Sequence, residues 1–91
     1  MIEHVIHPNG NELWFKNNNL HNDHAPASIW FNGTESWYEK GRFHRINGPS
    51  IIDFNGNERW SKNNHWHRED GPAFIYINGN ESWFKNDKGT K

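Results

Sequence analysis

The sequence contains no cysteine, and it lacks any long apolar run. Without cysteine there is no disulfide framework and no thiolate to act as nucleophile or metal ligand, which fits a reducing compartment. The first ten residues, MIEHVIHPNG, have neither the basic segment nor the apolar segment of a signal peptide, and no window reaches the length of a membrane-spanning helix. These absences predict a soluble cytoplasmic protein.

An excess of charge of one sign is also lacking. Ten basic and eleven acidic residues give a net charge of −1, and the two signs are mixed along the chain. Nucleic acid binding normally shows as a clustered basic excess, and an anionic membrane surface attracts a polybasic segment. We therefore expect neither nucleic acid nor membrane among the partners.

Sequence motifs of catalysis are absent as well. The chain has no G-x-S-x-G element, no glycine-rich phosphate loop and no nucleophile–base motif. We predict that the protein is not an enzyme, that no residue is catalytic and that no cofactor is bound.

What the sequence does have is a strict period of large aromatic residues. Six Trp and six Phe supply apolar area to a chain too short to bury much surface otherwise. Four Asn-Gly pairs, at 9/10, 32/33, 55/56 and 78/79, recur every 23 residues. The same step separates Trp14, Trp37, Trp60 and Trp83. Such a period predicts one repeat domain over residues 1–91, with a partial unit at 1–8, units at 9–31, 32–54 and 55–77, and a partial unit at 78–91.

The turn signals within each unit predict short strands. Asn-Gly is the strongest short hairpin signal. A second turn follows the Trp, as in EKGR at 39–42, and a third contains Gly-Pro, as in INGP at 46–49. Runs rich in β-branched and aromatic residues, such as FIYI at 74–77, lie between the turns. We predict an all-β fold, a small meander of repeated β-hairpins in an open sheet.

Equivalent residues of successive units form columns that define the predicted core and register. Fixed columns are Ile6, Ile29, Ile52 and Ile75; the four Trp; Glu12, Glu35, Glu58 and Glu81; and Phe31, Phe54 and Ile77. The apolar columns are predicted to form the core. A three-residue loop with Gly33 in a left-handed bulge would pair Ile29 with Glu35 and put Ile29 and Trp37 on one face. A two-residue turn would separate them, so a sheet with one buried face favours the three-residue loop.

The spacing W-x3-G-x2-H-R-x2-G-P resembles a known pattern. It is formed by Trp37, Gly41, His44, Arg45, Gly48 and Pro49. It is similar to a variant of the MORN repeat, which is built from successive β-hairpins, and more similar to the short "HRxDGPA" repeat proteins of bacteriophage genomes. The resemblance covers nearly the whole chain and implies a phage-type protein in the host cytoplasm. MORN arrays are scaffolds that bind proteins or lipid, and a related bacterial variant is associated with antitoxins. Residues 21–26 lack the Arg and Gly of the later copies, which suggests that the first unit is a cap.

The recurring histidines and glutamates admit two interpretations each. His21, His44 and His67 could form a ladder for a metal or a phosphate, or each could order an adjacent turn. The second interpretation is favoured because zinc ligands come as close-spaced pairs, so no metal site is predicted. The Glu column is expected to pair with Arg or Lys on neighbouring strands, since a catalytic pair is not repeated in every unit.

The positions that vary between units carry the functional hypotheses. The column His7, Trp30, Asp53 and Tyr76 would lie on the face opposite the core. Exposed aromatic residues beside Arg and His are typical of an interface centre. The first hypothesis is a phage-type binding module that recognises or inhibits a host protein through Trp30, Tyr76, Arg45 and Arg68. A second buried face or a self-association surface is the alternative for Trp30 and Tyr76.

Two further hypotheses stay open. A small-molecule binder, or sponge for a nucleotide-like signal, would stack a base on aromatic rings while His44, Arg45, His67 and Arg68 take phosphate. An antitoxin-like inhibitor is the other. Self-association is expected because terminal strands expose unpaired edges, and polar residues 85–91 are expected to fray rather than cap the sheet.

Overall fold

The computed structural model describes residues 2–22, 24–45 and 47–89, in which all regular structure is β-strand. In chain order the strands are β1 (Glu3–Ile6), β2 (Glu12–Lys16), β3 (Asn19–Leu20), β4 (Ser28–Ile29), β5 (Glu35–Ser36), β6 (Tyr38–Glu39), β7 (Arg42–Phe43), β8 (Ile51–Ile52), β9 (Glu58–Arg59), β10 (Ser61–Lys62), β11 (His65–Trp66), β12 (Phe74–Ile75), β13 (Glu81–Ser82), β14 (Phe84–Lys85) and β15 (Lys88–Gly89). The described part of the chain holds no helix of the length and apolar character needed to cross a lipid bilayer.

Nine of these strands form one antiparallel sheet. Its order is β1-β2-β4-β5-β8-β9-β12-β13, with β3 paired to β2. The strands left out of it form three two-stranded hairpins, β6–β7, β10–β11 and β14–β15. The all-β prediction is confirmed: the chain runs through the main sheet as a meander and leaves it at intervals to form a small hairpin.

The register of the main sheet places the Ile and Glu columns in one cross-strand row. Ile29 lies opposite both Glu12 and Glu35. The alternation continues across β8, β9, β12 and β13. Trp14 lies two residues after Glu12 in the continuous strand β2, so it shares the face of Ile29. Ile and Trp therefore lie on one face here, as the predicted register requires.

The first turn of the unit at 32–54 shows why this register forms. The Trp30 N–H donates to the Thr34 carbonyl at 2.9 Å, which leaves three residues in the loop. Gly33 has a φ of 94°, in the left-handed region that favours glycine. The prediction of a three-residue loop is confirmed. The two-residue turns occur instead at the second turn, where successive residues such as Asn63 and Asn64 both have positive φ.

The most deeply buried side chains are small. Ala27 and Ala73 are fully buried, and Ser28, Ser36, Ser50 and Ser61 are 0–5% exposed. The four periodic Trp are half-buried. Phe31, Phe54 and Ile77 are 71%, 62% and 69% exposed, so the prediction that this column belongs to the core was wrong. These three residues lie in the loop of the first turn, beyond the last paired residues, where neighbouring strands cannot cover them.

Aromatic rings pack mainly against one another. The ring of Phe74 lies 5.0 Å from that of Trp66 and 4.9 Å from that of Phe84, and it contacts Tyr76 edge-on at 6.2 Å. Such pairs add to the stabilisation from buried area. Tyr76 is therefore partly buried by its neighbour, whereas Trp30 is 43% exposed.

The second turns of successive units are tied to one another. The N–H groups of Gly41, Asn64 and Asp87 donate to the carbonyl oxygens of Leu20, Phe43 and Trp66 at 2.9, 3.0 and 2.9 Å. The last of these bonds fixes the hairpin β14–β15. Residues 85–89, which were expected to fray rather than cap the sheet, lie in this hairpin outside the main sheet, and residues 90 and 91 lie outside the described part of the chain.

Candidate functional site

The arginine of each His-Arg pair stacks on a tryptophan of its own unit. The guanidinium carbon of Arg45 is 3.9 Å from the ring centroid of Trp37, and that of Arg68 is 3.9 Å from Trp60. Each Nη1 also donates to the carbonyl oxygen of the proline four residues later, at 3.1 Å. Stacking and hydrogen bonding together hold both guanidinium groups in fixed positions.

The glycine of the third turn makes room for this arginine. A Cβ added to Gly48 would lie 2.6 Å from the Arg45 Cζ, and Gly71 shows the same overlap at 2.7 Å. In the first unit Asn22 stands in place of the arginine and Ala25 in place of the glycine. The shorter Asn22 side chain still donates to the corresponding proline carbonyl, at 3.2 Å. The loss of the arginine and the loss of the glycine in the first unit are therefore linked, because only the arginine needs the space that the glycine leaves. The sequence alone does not reveal this link.

The histidine column links neighbouring units. The Nδ1 atoms of His21, His44 and His67 accept hydrogen bonds from the N–H groups of Lys40, Asn63 and Asn86 at 3.0, 3.3 and 3.1 Å. The interpretation that each histidine orders a turn is confirmed, with the correction that the turn belongs to the following unit. Because Nδ1 accepts a hydrogen bond, we assign the ring hydrogen to Nε2. Within residues 2–22, 24–45 and 47–89, no three His, Asp or Glu side chains meet as a metal site.

The Nε2 atoms of two of these histidines face carboxylates. His44 Nε2 lies 3.4 Å from Glu39 Oε2, and His67 Nε2 lies 2.6 Å from Glu69 Oε1. The hydrogen bond from His67 lowers the pKa of Glu69, and the nearby positive charges lower that pKa further. Both imidazoles therefore have structural partners at both nitrogens.

Two clefts lie between the hairpins and third turns of adjacent units. The first has a volume of about 390 Å³ and the second about 500 Å³. Every residue lining the first cleft has a counterpart one unit later in the second, and His44 and Arg45 line both. Glu69 and Asp70 also line the second cleft.

The two clefts differ in charge because four lining positions differ. Asn22, His24, Tyr38 and Glu39 of the first cleft correspond to Arg45, Asn47, Ser61 and Lys62 of the second. Burial raises the pKa of Tyr38, so its hydroxyl stays neutral. The second cleft is thus the more cationic.

Four of the six predicted binding residues come together in the second cleft. They are His44, Arg45, His67 and Arg68. Trp30 and Tyr76 line neither cleft. Both follow a strand of the main sheet directly, beside a first turn, whereas the clefts lie beside the second and third turns. The predicted aromatic and basic residues therefore occupy two separate surfaces.

Sequence reasoning missed Lys62 as a cleft residue. The residues two positions after the four periodic Trp are Lys16, Glu39, Lys62 and Lys85. This change of sign within a column was a usable signal. Its significance depends on the hairpins of adjacent units lying side by side, which only the three-dimensional arrangement shows.

The first turns carry a row of exposed apolar side chains, Phe31, Phe54 and Ile77, which we name the turn row. The N–H of Phe31 donates to Asn11 Oδ1 at 2.8 Å, and that of Ile77 donates to Asn57 Oδ1 at 2.9 Å. Asn11 is only 8% exposed. The backbone of the two outer residues of the turn row is therefore held by an asparagine that directly follows the preceding Asn-Gly pair.

Asp53 supports this row and has a structural role. Its carboxylate accepts hydrogen bonds from the Asn55 N–H at 2.9 Å and from the Asn57 N–H and Nδ2 at 3.0 and 2.9 Å. Desolvation would raise the pKa of Asp53, but these hydrogen bonds and the charge of Arg59 together hold it below its usual range. Asp53 thus orients Asn57, which in turn holds Ile77.

Comparison with known proteins found no match to this chain among protein-family models, curated protein sequences or solved structures.

Proposed function

We propose that this protein is a small binding module that recognises another protein through the turn row together with Trp30. The carrying observation is the exposure of Phe31, Phe54 and Ile77, at 62–71%, with the backbone N–H groups of Phe31 and Ile77 fixed by hydrogen bonds to Asn11 and Asn57. A row of large exposed apolar side chains on a folded surface is typical of an interaction site. A partner with a complementary apolar groove is the class of ligand that this surface fits.

The geometry of the row favours a protein surface. Successive members are separated by two strands of the sheet, which corresponds to roughly 10 Å at the usual strand spacing. A row of this length matches several contact points on a protein and exceeds the size of one small ligand. Because the turns are already ordered, binding would cost little backbone entropy. Trp30, adjacent to Phe31, adds the residue type most enriched at interface centres.

The nucleotide-like ligand is the weaker candidate for this function. It requires an aromatic platform beside the basic residues, but Trp30 and Tyr76 line neither cleft. The cleft tryptophans Trp37 and Trp60 each carry an arginine on one ring face. A toxin or a host protein would both be partners of the proposed kind, so an antitoxin-like or phage-type inhibitor is a special case of it.

The proposal includes the organisation of the chain as a MORN-like or phage-type repeat array with units at 9–31, 32–54 and 55–77. It is supported by contacts that recur once in each unit, from the histidine hydrogen bonds to the links between second turns. In such an array each unit presents one member of the turn row.

The test compares two triple variants. Changing Phe31, Phe54 and Ile77 to Ser removes the apolar surface, whereas changing the same three residues to Leu keeps it. Proteins captured from a host lysate by the unchanged chain are identified by mass spectrometry, purified, and titrated with all three forms by calorimetry.

We expect the leucine variant to retain binding and the serine variant to lose at least about a hundredfold in affinity, since several buried anchors each contribute over about 1 kcal/mol. Thermal unfolding checks that both variants fold. A purified partner that binds the serine variant as tightly as the unchanged chain would contradict the proposal.

A further inference from the structure

The second cleft offers a site that is separate from the turn row. Its volume of about 500 Å³ lies in the range of small-molecule pockets and suits a compact group. Three cationic side chains line it, Arg45, Lys62 and Arg68, together with the carboxylates of Glu69 and Asp70.

Both carboxylates are already engaged. Glu69 Oε1 lies 2.6 Å from His67 Nε2, and Glu69 Oε2 lies 4.0 Å from Lys85 Nζ. The Asp70 side chain is 93% exposed and lies 3.9 Å from Arg68 Nε. Among the described residues, no carboxylate lies within 4.0 Å of a side-chain nitrogen of Arg45 or Lys62. Within that part of the chain, the cleft therefore holds two cations that form no ion pair.

The guanidinium groups in the cleft are prepared for a ligand. Arg45 and Arg68 are each stacked on a tryptophan at 3.9 Å, and each uses Nη1 for a proline carbonyl. A guanidinium has five N–H donors, so further donors remain on each group. Because stacking has already restricted the side chains, a ligand would lose little affinity to side-chain ordering.

The first cleft is an internal comparison. Asn22 and Glu39 stand there in place of Arg45 and Lys62, so its lining has one cation, Arg45, facing one anion. His44 Nε2 lies 3.4 Å from Glu39 Oε2, so the histidine holds this carboxylate in the lining of the first cleft. The second cleft is thus lined by three cations and two carboxylates, and the first by one cation and one carboxylate.

From this contrast we infer that the second cleft binds a compact oxyanion, a phosphate or a carboxylate group, with Lys62, Arg45 and Arg68 as its cationic ligands. Charge-assisted hydrogen bonds from guanidinium and ammonium groups are the usual means by which proteins hold both kinds of oxyanion. The group could belong to a free metabolite or to a side chain of a partner.

The site is tested by following backbone amide and Trp60 indole NMR signals during titration with inorganic phosphate, acetate or chloride at matched ionic strength. We expect saturable shifts at the residues of the second cleft with phosphate or acetate but not with chloride. A response to only one of the two oxyanions identifies the class. An equal response to chloride, or no saturation with either oxyanion, would overturn the inference.

Matched variants separate a site from general attraction by charge. Lys62→Glu should weaken binding about tenfold or more, because a charged hydrogen bond is lost and repulsion is added. Lys16→Glu makes the same charge change at the equivalent hairpin position outside both clefts and should leave affinity unchanged. Equal weakening by the two variants would refute a localised site. Lys62→Gln, which keeps the length of the side chain without its charge, serves if Lys62→Glu is unfolded.

A gain of binding is expected in the first cleft. The triple variant Asn22→Arg, Ala25→Gly, Glu39→Lys copies the cationic lining, with glycine included because the arginine needs the space. It should acquire a second saturable oxyanion site. Failure to do so in a folded triple variant would overturn the assignment of the ligands. The serine variant of the turn row should keep its oxyanion binding, so this inference and the proposed function are tested independently.

Discussion

The Nδ1 atom of His67 accepts a hydrogen bond from the backbone N–H of Asn86, in the following unit, at 3.1 Å. The other ring nitrogen of His67 faces Glu69. One imidazole thus connects the third turn of one unit with the second turn of the next. Equivalent bonds at His21 and His44 repeat this link between the earlier units.

Replacing this histidine should loosen the last hairpin. His67→Phe keeps a ring in a position that is 10% exposed but removes the acceptor for Asn86. We expect a loss of about 1 kcal/mol in the free energy of unfolding, measured by urea titration, and faster hydrogen exchange at the Asn86 amide. His24→Phe is the control, since that exposed ring makes no hydrogen bond within the described residues. Unchanged exchange at Asn86 would show that the bond has no stabilising role.

The arginine and the glycine of the third turn should be energetically coupled. Gly48→Ala should destabilise the protein by about 0.5–1.5 kcal/mol, because the new methyl displaces the Arg45 guanidinium from Trp37 and from the Pro49 carbonyl. Adding Arg45→Asn recreates the Asn22–Ala25 pair and should recover much of that loss. A double-mutant cycle by thermal or urea unfolding measures the coupling. Additive effects of the two changes would mean that the overlap is relieved in another way.

The C-terminal hairpin should weaken in acid. The hydrogen bond with His65, followed by that from the Trp66 N–H, lowers the pKa of Asp87. A carboxyl group with a lowered folded-state pKa contributes stability above its unfolded pKa, and this contribution is lost as the pH falls through the folded value. The protection factor of the Trp66 amide, which corrects the exchange rate for the pH dependence of the unprotected amide, should therefore fall below about pH 4, where an ordinary aspartate begins to protonate.

Asp87→Asn is the matched variant for this acid dependence. Asn64, at the equivalent position of the preceding unit, already accepts the corresponding bond from the Phe43 N–H at 2.7 Å. The variant should keep the hairpin at neutral pH and show a smaller loss of Trp66 amide protection in acid. The same loss of protection in Asp87→Asn would assign the effect to another group, such as Glu69, whose pKa is also lowered, first by its hydrogen bond to His67.

A hydrogen bond that is absent at Thr34 can be added by substitution. Asn11 and Asn57 accept hydrogen bonds from the N–H groups of Phe31 and Ile77, twenty residues later, but Thr34 occupies the equivalent position before Phe54. Thr34→Asn should accept from the Phe54 N–H and stabilise the protein by about 0.5–1.5 kcal/mol. The reverse change, Asn57→Thr, should destabilise it by more, because Asn57 also donates from Nδ2 to Asp53. Calorimetric unfolding of both variants checks the sign, and a destabilising Thr34→Asn would contradict the proposed link.

Local chemistry predicted the strands and their register because the relevant signals are short-range. Gly33, with its positive φ, and the alternation of Ile29 and Glu35 were enough to select the three-residue loop. The turn-ordering role of the histidines was also predictable, although the partner turn was not. His67 and Asn86 belong to different units, and their contact depends on how the small hairpins lie beside one another.

The wrong predictions also come from contacts between units that the sequence does not show. Phe31, Phe54 and Ile77 have the composition and spacing of core residues, and their exposure follows from their place in a loop beyond the paired strands. The second cleft was half predicted: His44, Arg45, His67 and Arg68 were identified as binding residues, but Lys62 was not. The change from Glu39 to Lys62 within its column was a signal, but its meaning depends on how the neighbouring unit lies against it.

The fit between Arg45 and Gly48 also restricts the order in which such a turn can change by single substitutions. An Asn–Ala turn like that of residues 22 and 25 can lose its methyl group first and gain the arginine afterwards, and each intermediate has room for its side chains. In the opposite order, the arginine arrives against a Cβ that overlaps it. Mutational paths between the two kinds of third turn should therefore favour the order in which the methyl group is lost before the arginine is gained.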